Sequence, residues 1–222
     1  MDKDGKRLMD AAFWHNKWAQ KDIAFHELQP NPLLVRWLET LPVQPGDRIF
    51  VPLCGKSRDI AWLLSKGYRV AGAELSPLAI EALFDELALT PTVTAAGKLT
   101  RFSATNLDIF VGDILDLSPS QLGEVDALYD RAALVALPEV MRDQYARQLV
   151  KLTDRASQLV ICFEYDQQQL AGPPFAINHD ELARLYRQDY DITSLQIKEV
   201  AGGLKGTCAA LEHVWRLSAK RA

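Results

Sequence analysis

Residues 48–76, RIFVPLCGKSRDIAWLLSKGYRVAGAELS, decide the fold. They read as strand, tight turn, helix, strand. Arg48 to Leu53 is a short apolar run bounded by Gly46-Asp47 and Cys54-Gly55, the pattern of a strand buried on both faces of a parallel sheet. Ser57 is placed to cap a helix with Asp59 in its first turn. Ile60, Leu63 and Leu64 share one helical face, and Gly67 can close the end in a left-handed conformation. Tyr68 to Ala73 is the second strand.

Two residues of this unit point to a ligand. Gly55 sits in the strand-to-helix turn, where a missing Cβ lets a ligand approach the backbone and a helix N-terminus leaves N–H groups free. Glu74 ends the second strand 19 positions later, from which a carboxylate can accept hydrogen bonds from both hydroxyls of a ribose. The pair predicts a nucleoside-containing ligand; a plain βαβ unit with a solvated glutamate at a strand end would carry the same residues. Gly55-Lys56-Ser57 matches the end of a Walker A motif, but Phe50 stands where its first glycine belongs. The dinucleotide fingerprint is absent as well, since Leu53, Gly55 and Arg58 occupy its glycine positions. With no cradle for a phosphate, S-adenosylmethionine is the nucleoside expected.

The rest of the chain extends this rhythm. A length of 222 residues, 48% hydrophobic and 24% charged, predicts one globular α/β domain over 1–222. The net charge of −4 and the absence of a basic run argue against a nucleic-acid partner and favour a small substrate. The N-terminus lacks the apolar core of a signal peptide and no stretch has the length of a membrane span, so a cytoplasmic protein away from membranes is expected. Cys54, Cys162 and Cys208 form no C-x-x-C pair and the four histidines are dispersed, which predicts neither a disulfide framework nor a metal site. No extended apolar face argues against a monomer.

Phe13, Trp14, Trp18 and Phe25 crowd the segment 1–30, with Trp14 and Trp18 at i, i+4 on one helix face. The segment reads as a helix docked by its aromatics or as a lid whose flat faces cover a nucleoside pocket. A covering helix follows over 31–41. Ser76 and Pro77 then start a helix to about Leu87 that turns Leu78, Ala82 and Leu83 or Phe84 to the sheet. Residues 90–106 are polar and turn-rich, an exposed hairpin or loop. Leu107 to Val111 is the third parallel strand, and Asp113 beyond it can accept from an adenine amino group with Ile114 against the ring, or simply cap the next turn. Val125 to Tyr129 is the fourth, which places Asp130 and Arg131 at a strand end facing a ligand crevice. An arginine fork suits a carboxylate there, though an Asp-Arg pair is also a common structural ion pair. Residues 138–152 form a helix burying Val140, Tyr145, Leu149 and Leu152. Gln158 to Glu164 is the fifth strand, and the loop after it carries Pro173, Pro174 and Phe175, a shaped pocket wall. The helix over 179–189 and an antiparallel pair, 191–200 with 208–217, close the sheet.

Seven strands with interleaved helices and acids after the second and third resemble the class I S-adenosylmethionine-dependent methyltransferase fold, a Rossmann-like, mostly parallel seven-stranded sheet. The strings FWHNKWAQKDIAFHE (13–27), FVPLCGKS (50–57), GAELSPLAI (72–80), YDRAALVAL (129–137) and GPPF (172–175) together resemble the bacterial branch of the thiopurine S-methyltransferase family. The resemblance implies cofactor contacts at Trp18, Leu53, Glu74, Asp113, Ile114 and Arg131, with Trp14 and Phe25 bordering cofactor and substrate. It implies methyl transfer to an aromatic or heterocyclic thiol or thione such as a thiopurine, leaving S-adenosylhomocysteine, and a link in bacteria to tolerance of tellurite and selenium compounds. Gly55 joins the cofactor set from its place in the turn, Phe175 the substrate set, and Arg131 is the candidate catalytic residue. A non-catalytic nucleoside sensor would share Glu74 and Asp113 but would not need Phe25 and Phe175 around a second pocket.

Overall fold

The computed structural model describes residues 11–22 and 27–220. Among these, nine strands form one sheet: β1 (Arg48–Pro52), β2 (Arg69–Glu74), β3 (Thr92–Ala96), β4 (Leu99–Ala104), β5 (Leu107–Val111), β6 (Ala127–Arg131), β7 (Ser157–Tyr165), β8 (Tyr190–Glu199) and β9 (Ala210–Ala219). Their order is β3-β4-β5-β2-β1-β6-β7-β9-β8. The five central strands β5, β2, β1, β6 and β7 are parallel; the flanking pairs run antiparallel. The helices are α1 (Ala11–Ala19), α2 (Pro32–Trp37), α3 (Arg58–Ser65), α4 (Pro77–Glu86), α5 (Pro119–Leu122), α6 (Glu139–Thr153) and α7 (His179–Tyr186).

The sequence predicts seven strands; the other two are β3 and β4. Residues 90–106 do form a hairpin, and β4 pairs with β5 from Thr100 against Val111 to Ala104 against Leu107, so the hairpin lengthens the sheet. Its residues are largely exposed on β3, which is why no apolar alternation marks it.

Alternation along the central strands divides the core into two layers. Phe50, Leu128, Val160 and Trp215 pack on the face covered by α6 and α7. Ile49, Val51, Tyr129, Ile161 and Val214 pack on the other, with residues of α2, α3 and α4. Two helix faces are phased differently from expectation. Helix α4 buries Ala79, Ile80, Leu83 and Phe84 and leaves Leu78 about half exposed. On α6, Val140 is 85% exposed and Arg142 takes a buried place, with its Nε donating to the Leu137 carbonyl at 2.9 Å and Nη1 to Glu181 at 3.1 Å. A guanidinium given a carbonyl and a carboxylate as acceptors can lie inside where an apolar residue was expected.

The strand order reverses between β1 and β6. There the connections leave in opposite directions, and a crevice opens at the carboxyl ends of the strands, the place where such sheets bind ligands.

Candidate functional site

The turn after β1 is built from two left-handed residues, Leu53 at φ +46° and Gly55 at φ +50°. A leucine in this region is strained, and such strain persists where surrounding contacts impose it. Here the Cys54 N–H donates to the Ala73 carbonyl at 3.0 Å, and Gly55 N–H to Oε2 of Glu74 at 2.8 Å. The same carboxylate accepts the Ser76 N–H on Oε1 at 2.8 Å. Glu74 is buried, and that burial raises its carboxyl pKa against the opposing pull of the backbone N–H groups. Each of its oxygens retains a further lone pair, so a diol can still be accepted. Gly72, one residue pair below, has no room for a side chain: a Cβ would lie 2.7 Å from Cδ1 of Ile109 and 2.9 Å from Sγ of Cys54.

Helix α1 sets an aromatic roof on this turn. A Cβ at Gly55 would sit 3.0 Å from Cζ2 of Trp18, so the indole lies directly over the glycine, and Trp18 is buried. Trp14 is half-buried on the same helix, its ring edge-on to Phe13 at 5.1 Å. Phe25 lies outside the described residues.

Past β5, Asp113 is exposed and its Oδ1 accepts the Leu115 N–H at 2.9 Å, capping a 3-10 turn over Ile114–Asp116; Ile114 is buried beside it. The capping role foreseen for Asp113 is thus present and leaves its second oxygen for a ligand.

Strand β6 runs two residues further than the sequence predicts, so Asp130 and Arg131 are its last residues. They face opposite ways. Asp130 is fully buried, its Oδ1 accepting the Leu134 N–H at 3.0 Å and its Oδ2 the Tyr145 hydroxyl at 2.8 Å. The expectation of direct ligand contact finds no support at this residue, because its carboxylate is wholly buried and turned toward Tyr145 in the α6 layer of the core. Burial pushes its carboxyl up to about 6. Arg131 turns to the other face and forms an ion pair with Glu27, and its side chain is 18% exposed.

A buried acid missed in the sequence holds the segment that carries Glu27. Asp59 accepts the backbone N–H of Asn31 at 2.6 Å on Oδ1 and the Tyr129 hydroxyl at 3.0 Å on Oδ2. Asn31 in turn caps α2 through Leu33 N–H at 2.9 Å and reaches Glu27 with Nδ2 at 3.4 Å. A chain of contacts therefore runs from Tyr129 through Asp59, Asn31 and Glu27 back to Arg131. The only local signal for it was an Asp in the first turn of α3.

Phe175 is buried in the loop after β7, its N–H donating to the Val135 carbonyl at 2.6 Å and its ring beneath the Arg142 guanidinium at 5.8 Å. It lies against the Cα of Gly172, where a Cβ would meet its ring at 2.6 Å. A cavity of about 950 Å³ opens farther along the same sheet edge, lined by Glu164, Tyr165, Glu199 and Leu211 among others, and includes none of the residues assigned to the nucleoside site. Cys54 is buried beside Glu74, and burial first and that carboxylate second raise its thiol pKa well above the ordinary value, which makes it inert as a nucleophile. Among the described residues, no helix is long and apolar enough to cross a membrane, and no group of three or more His, Cys, Asp or Glu is placed to hold a metal ion.

One buried hydroxyl beside Glu74 lacks a partner. Ser76 is fully buried, its N–H is held by Glu74, and its Oγ has no hydrogen-bond partner.

Comparison with known proteins gives the family and the fold. The sequence model described as thiopurine S-methyltransferase matches residues 9–219. A thiopurine S-methyltransferase of Xanthobacter autotrophicus is 58% identical over 210 residues, 94% of this chain and 99% of that protein. One from Teredinibacter turnerae is 48% identical over 95% of this chain and 98% of its own length. Among solved structures, the Burkholderia thailandensis 1,6-didemethyltoxoflavin-N1-methyltransferase, with bound 1,6-didemethyltoxoflavin and S-adenosylhomocysteine, superposes with a TM-score of 0.64 at 16% identity, covering 97% of this chain and 89% of that one. An S-adenosylmethionine-dependent methyltransferase from Methanosarcina mazei gives 0.62 at 17% identity, covering 87% and 100%. These two likenesses establish the class I methyltransferase fold.

Proposed function

The chain belongs to the thiopurine S-methyltransferase family and is an S-adenosylmethionine-dependent methyltransferase, and from this we propose that its acceptors are aromatic and heterocyclic thiols and thiones, thiopurines among them. The observation that carries the reading is the coupled turn: Gly55 tied to Glu74 beneath Trp18, with the unpartnered Ser76 hydroxyl alongside.

In this reading Glu74 accepts from the ribose hydroxyls and Asp113 receives the adenine amino group, with Ile114 against the ring. Leu53 and Gly55 offer backbone to the methionine end, and Trp18 closes over it. Bound S-adenosylmethionine supplies a methyl already activated as a sulfonium, so no nucleophilic side chain and no metal is required of the protein. The task left to the chain is to align a sulfur nucleophile with that methyl and keep water out. Trp14, Phe25 and Phe175 border the acceptor, and Arg131 favours its thiolate form or orients the heterocycle. A monomer in the cytoplasm fits these roles. Selenium and tellurium compounds, and with them tellurite tolerance, extend the same chemistry to softer nucleophiles.

The test is incubation of the purified chain with methyl-labelled S-adenosylmethionine and, separately, 6-mercaptopurine, a phenol, a catechol, a small amine and selenite. Labelled product on the thiopurine, and on selenite if the extension holds, is the expected result. Cofactor binding with no product on any acceptor would overturn the reading in favour of a nucleoside sensor.

A further inference from the structure

Three charged groups from distant parts of the chain meet at one rim of the crevice. Arg131 ends β6 two residues after Tyr129, whose ring lies in the apolar layer with Val214 of β9. Glu212 stands two residues before Val214 on β9, so by strand alternation it projects from the same face as Arg131, just beyond the apolar layer. Glu27 arrives from the N-terminal side and pairs with the Arg131 guanidinium.

These groups feel one another. Burial raises the pKa of the half-buried Glu212, Arg131 draws it down, Glu27 pushes it up, and Lys198, across from it on β8, draws it down again. Lys198 is exposed at the outer strand, whereas Arg131, at the carboxyl end of β6, has one carboxylate in contact and a second nearby.

A pair between exposed charges is ordinarily a surface ornament of little energetic consequence. This one differs in how Glu27 is held. Its carboxylate is fixed through Asn31 to the buried Asp59 and so to Tyr129, the residue two before Arg131 on the same strand. Glu27 also follows Phe25 by two positions, and Phe25 is assigned to the acceptor border.

Resting on the thiol-methyltransferase reading, we infer that Glu27, with Glu212 behind it, is a specificity-determining residue that offsets the charge of Arg131 and so selects thiol and thione acceptors without a carboxylate over those bearing one. An acceptor with its own anion must compete with Glu27 for the guanidinium and bring a like charge beside Glu212. An acceptor whose only anionic atom is its reacting sulfur brings no second charge to this pair.

The test compares 4-mercaptobenzoate with 4-mercaptobenzamide, similar in shape and different by one charge, at saturating S-adenosylmethionine. The wild-type chain is expected to show the higher kcat/KM on the amide. In Glu27→Gln the carboxylate-to-amide ratio of kcat/KM should rise about tenfold, the scale of one unit charge near a protein surface, and the rise should shrink with added salt. Glu212→Gln should move the ratio the same way by less, and Glu27→Asp should restore the wild-type ratio. A merely structural role for Glu27 would lower both values together, and an unchanged ratio in both Gln variants overturns the inference. If the wild-type chain methylates neither thiol, the acceptor reading falls; calorimetric titration of both thiols into the S-adenosylhomocysteine-loaded chain then reads the same ratio as affinities, and binding of neither thiol overturns the inference too.

Discussion

The Gly55 N–H donates to Glu74 Oε2 at 2.8 Å, so the turn that ends one central strand is fastened to the carboxylate that ends its neighbour. Turn and acid are therefore tied together, and Trp18 packs on the turn from above. A side chain at residue 55 would be penalised twice, by the left-handed backbone and by the indole.

Gly55→Ala should accordingly lower stability by about 1–2 kcal/mol through its φ of +50° alone. It should also displace Trp18, whose nearest ring atom lies 3.0 Å from the new methyl. Chemical denaturation reads the first effect and a red-shifted tryptophan emission the second. A variant with wild-type emission would mean that the aromatic roof does not rest on the turn.

The buried Asp59 joins residues 28 and 70 positions away, Asn31 and Tyr129. Asp59→Ala leaves two buried donors without acceptors, at a cost of roughly 2–5 kcal/mol for the pair. Backbone amides near Asn31 should exchange faster with solvent while those of β7 stay protected. Equal loss of protection in both would assign Asp59 to global stability rather than to anchoring this segment.

Asp130 gives a pH signature. Its carboxyl pKa is raised from 3.8 to about 6, chiefly by burial, so the folded protein binds a proton that the unfolded chain has released between those values. Stability from this group is full below about pH 4 and is lost as pH rises through 6. The shift corresponds to roughly 3 kcal/mol. Measured between pH 4 and 7, the wild-type chain should lose about that much relative to Asp130→Asn, whose side chain does not titrate. A difference that stays flat across this window would contradict the buried, proton-binding state of Asp130.

Arg131→Met tests the acceptor side of the crevice. Turnover should fall more for heterocyclic thiones, which need help to reach the thiolate form, than for acidic thiols already ionised at the assay pH. An equal loss on both would confine Arg131 to cofactor binding.

The parts of the fold legible in the sequence were those written in local patterns. The 48–76 unit is one, because the Ser57 cap, the Gly67 stop and the strand runs on either side are all set within a few residues. The nucleoside candidates Gly55 and Glu74 came from the same stretch. What was not legible depends on partners far apart in sequence. Nothing near Glu27 announces Arg131, 104 positions on, and nothing near Glu212 announces that β9 returns it to the same face. Periodicity misplaced Val140 and Leu78 for a related reason. Apolar spacing sets a helix's stripe only when polar residues lie outside it, and on α6 the buried Arg142 has its charge met by Glu181 and the Leu137 carbonyl.

The measurement that bears most directly on the account is calorimetric titration of S-adenosylhomocysteine into the wild-type chain and into Glu74→Gln, with thermal unfolding of both to verify that each is folded. The account predicts saturable binding by the wild type and a loss of about 1–3 kcal/mol in the variant, the range for hydrogen bonds to a charged acceptor. Equal affinity in two folded proteins would contradict it, and would place the nucleoside somewhere other than the carboxyl ends of β1 and β2.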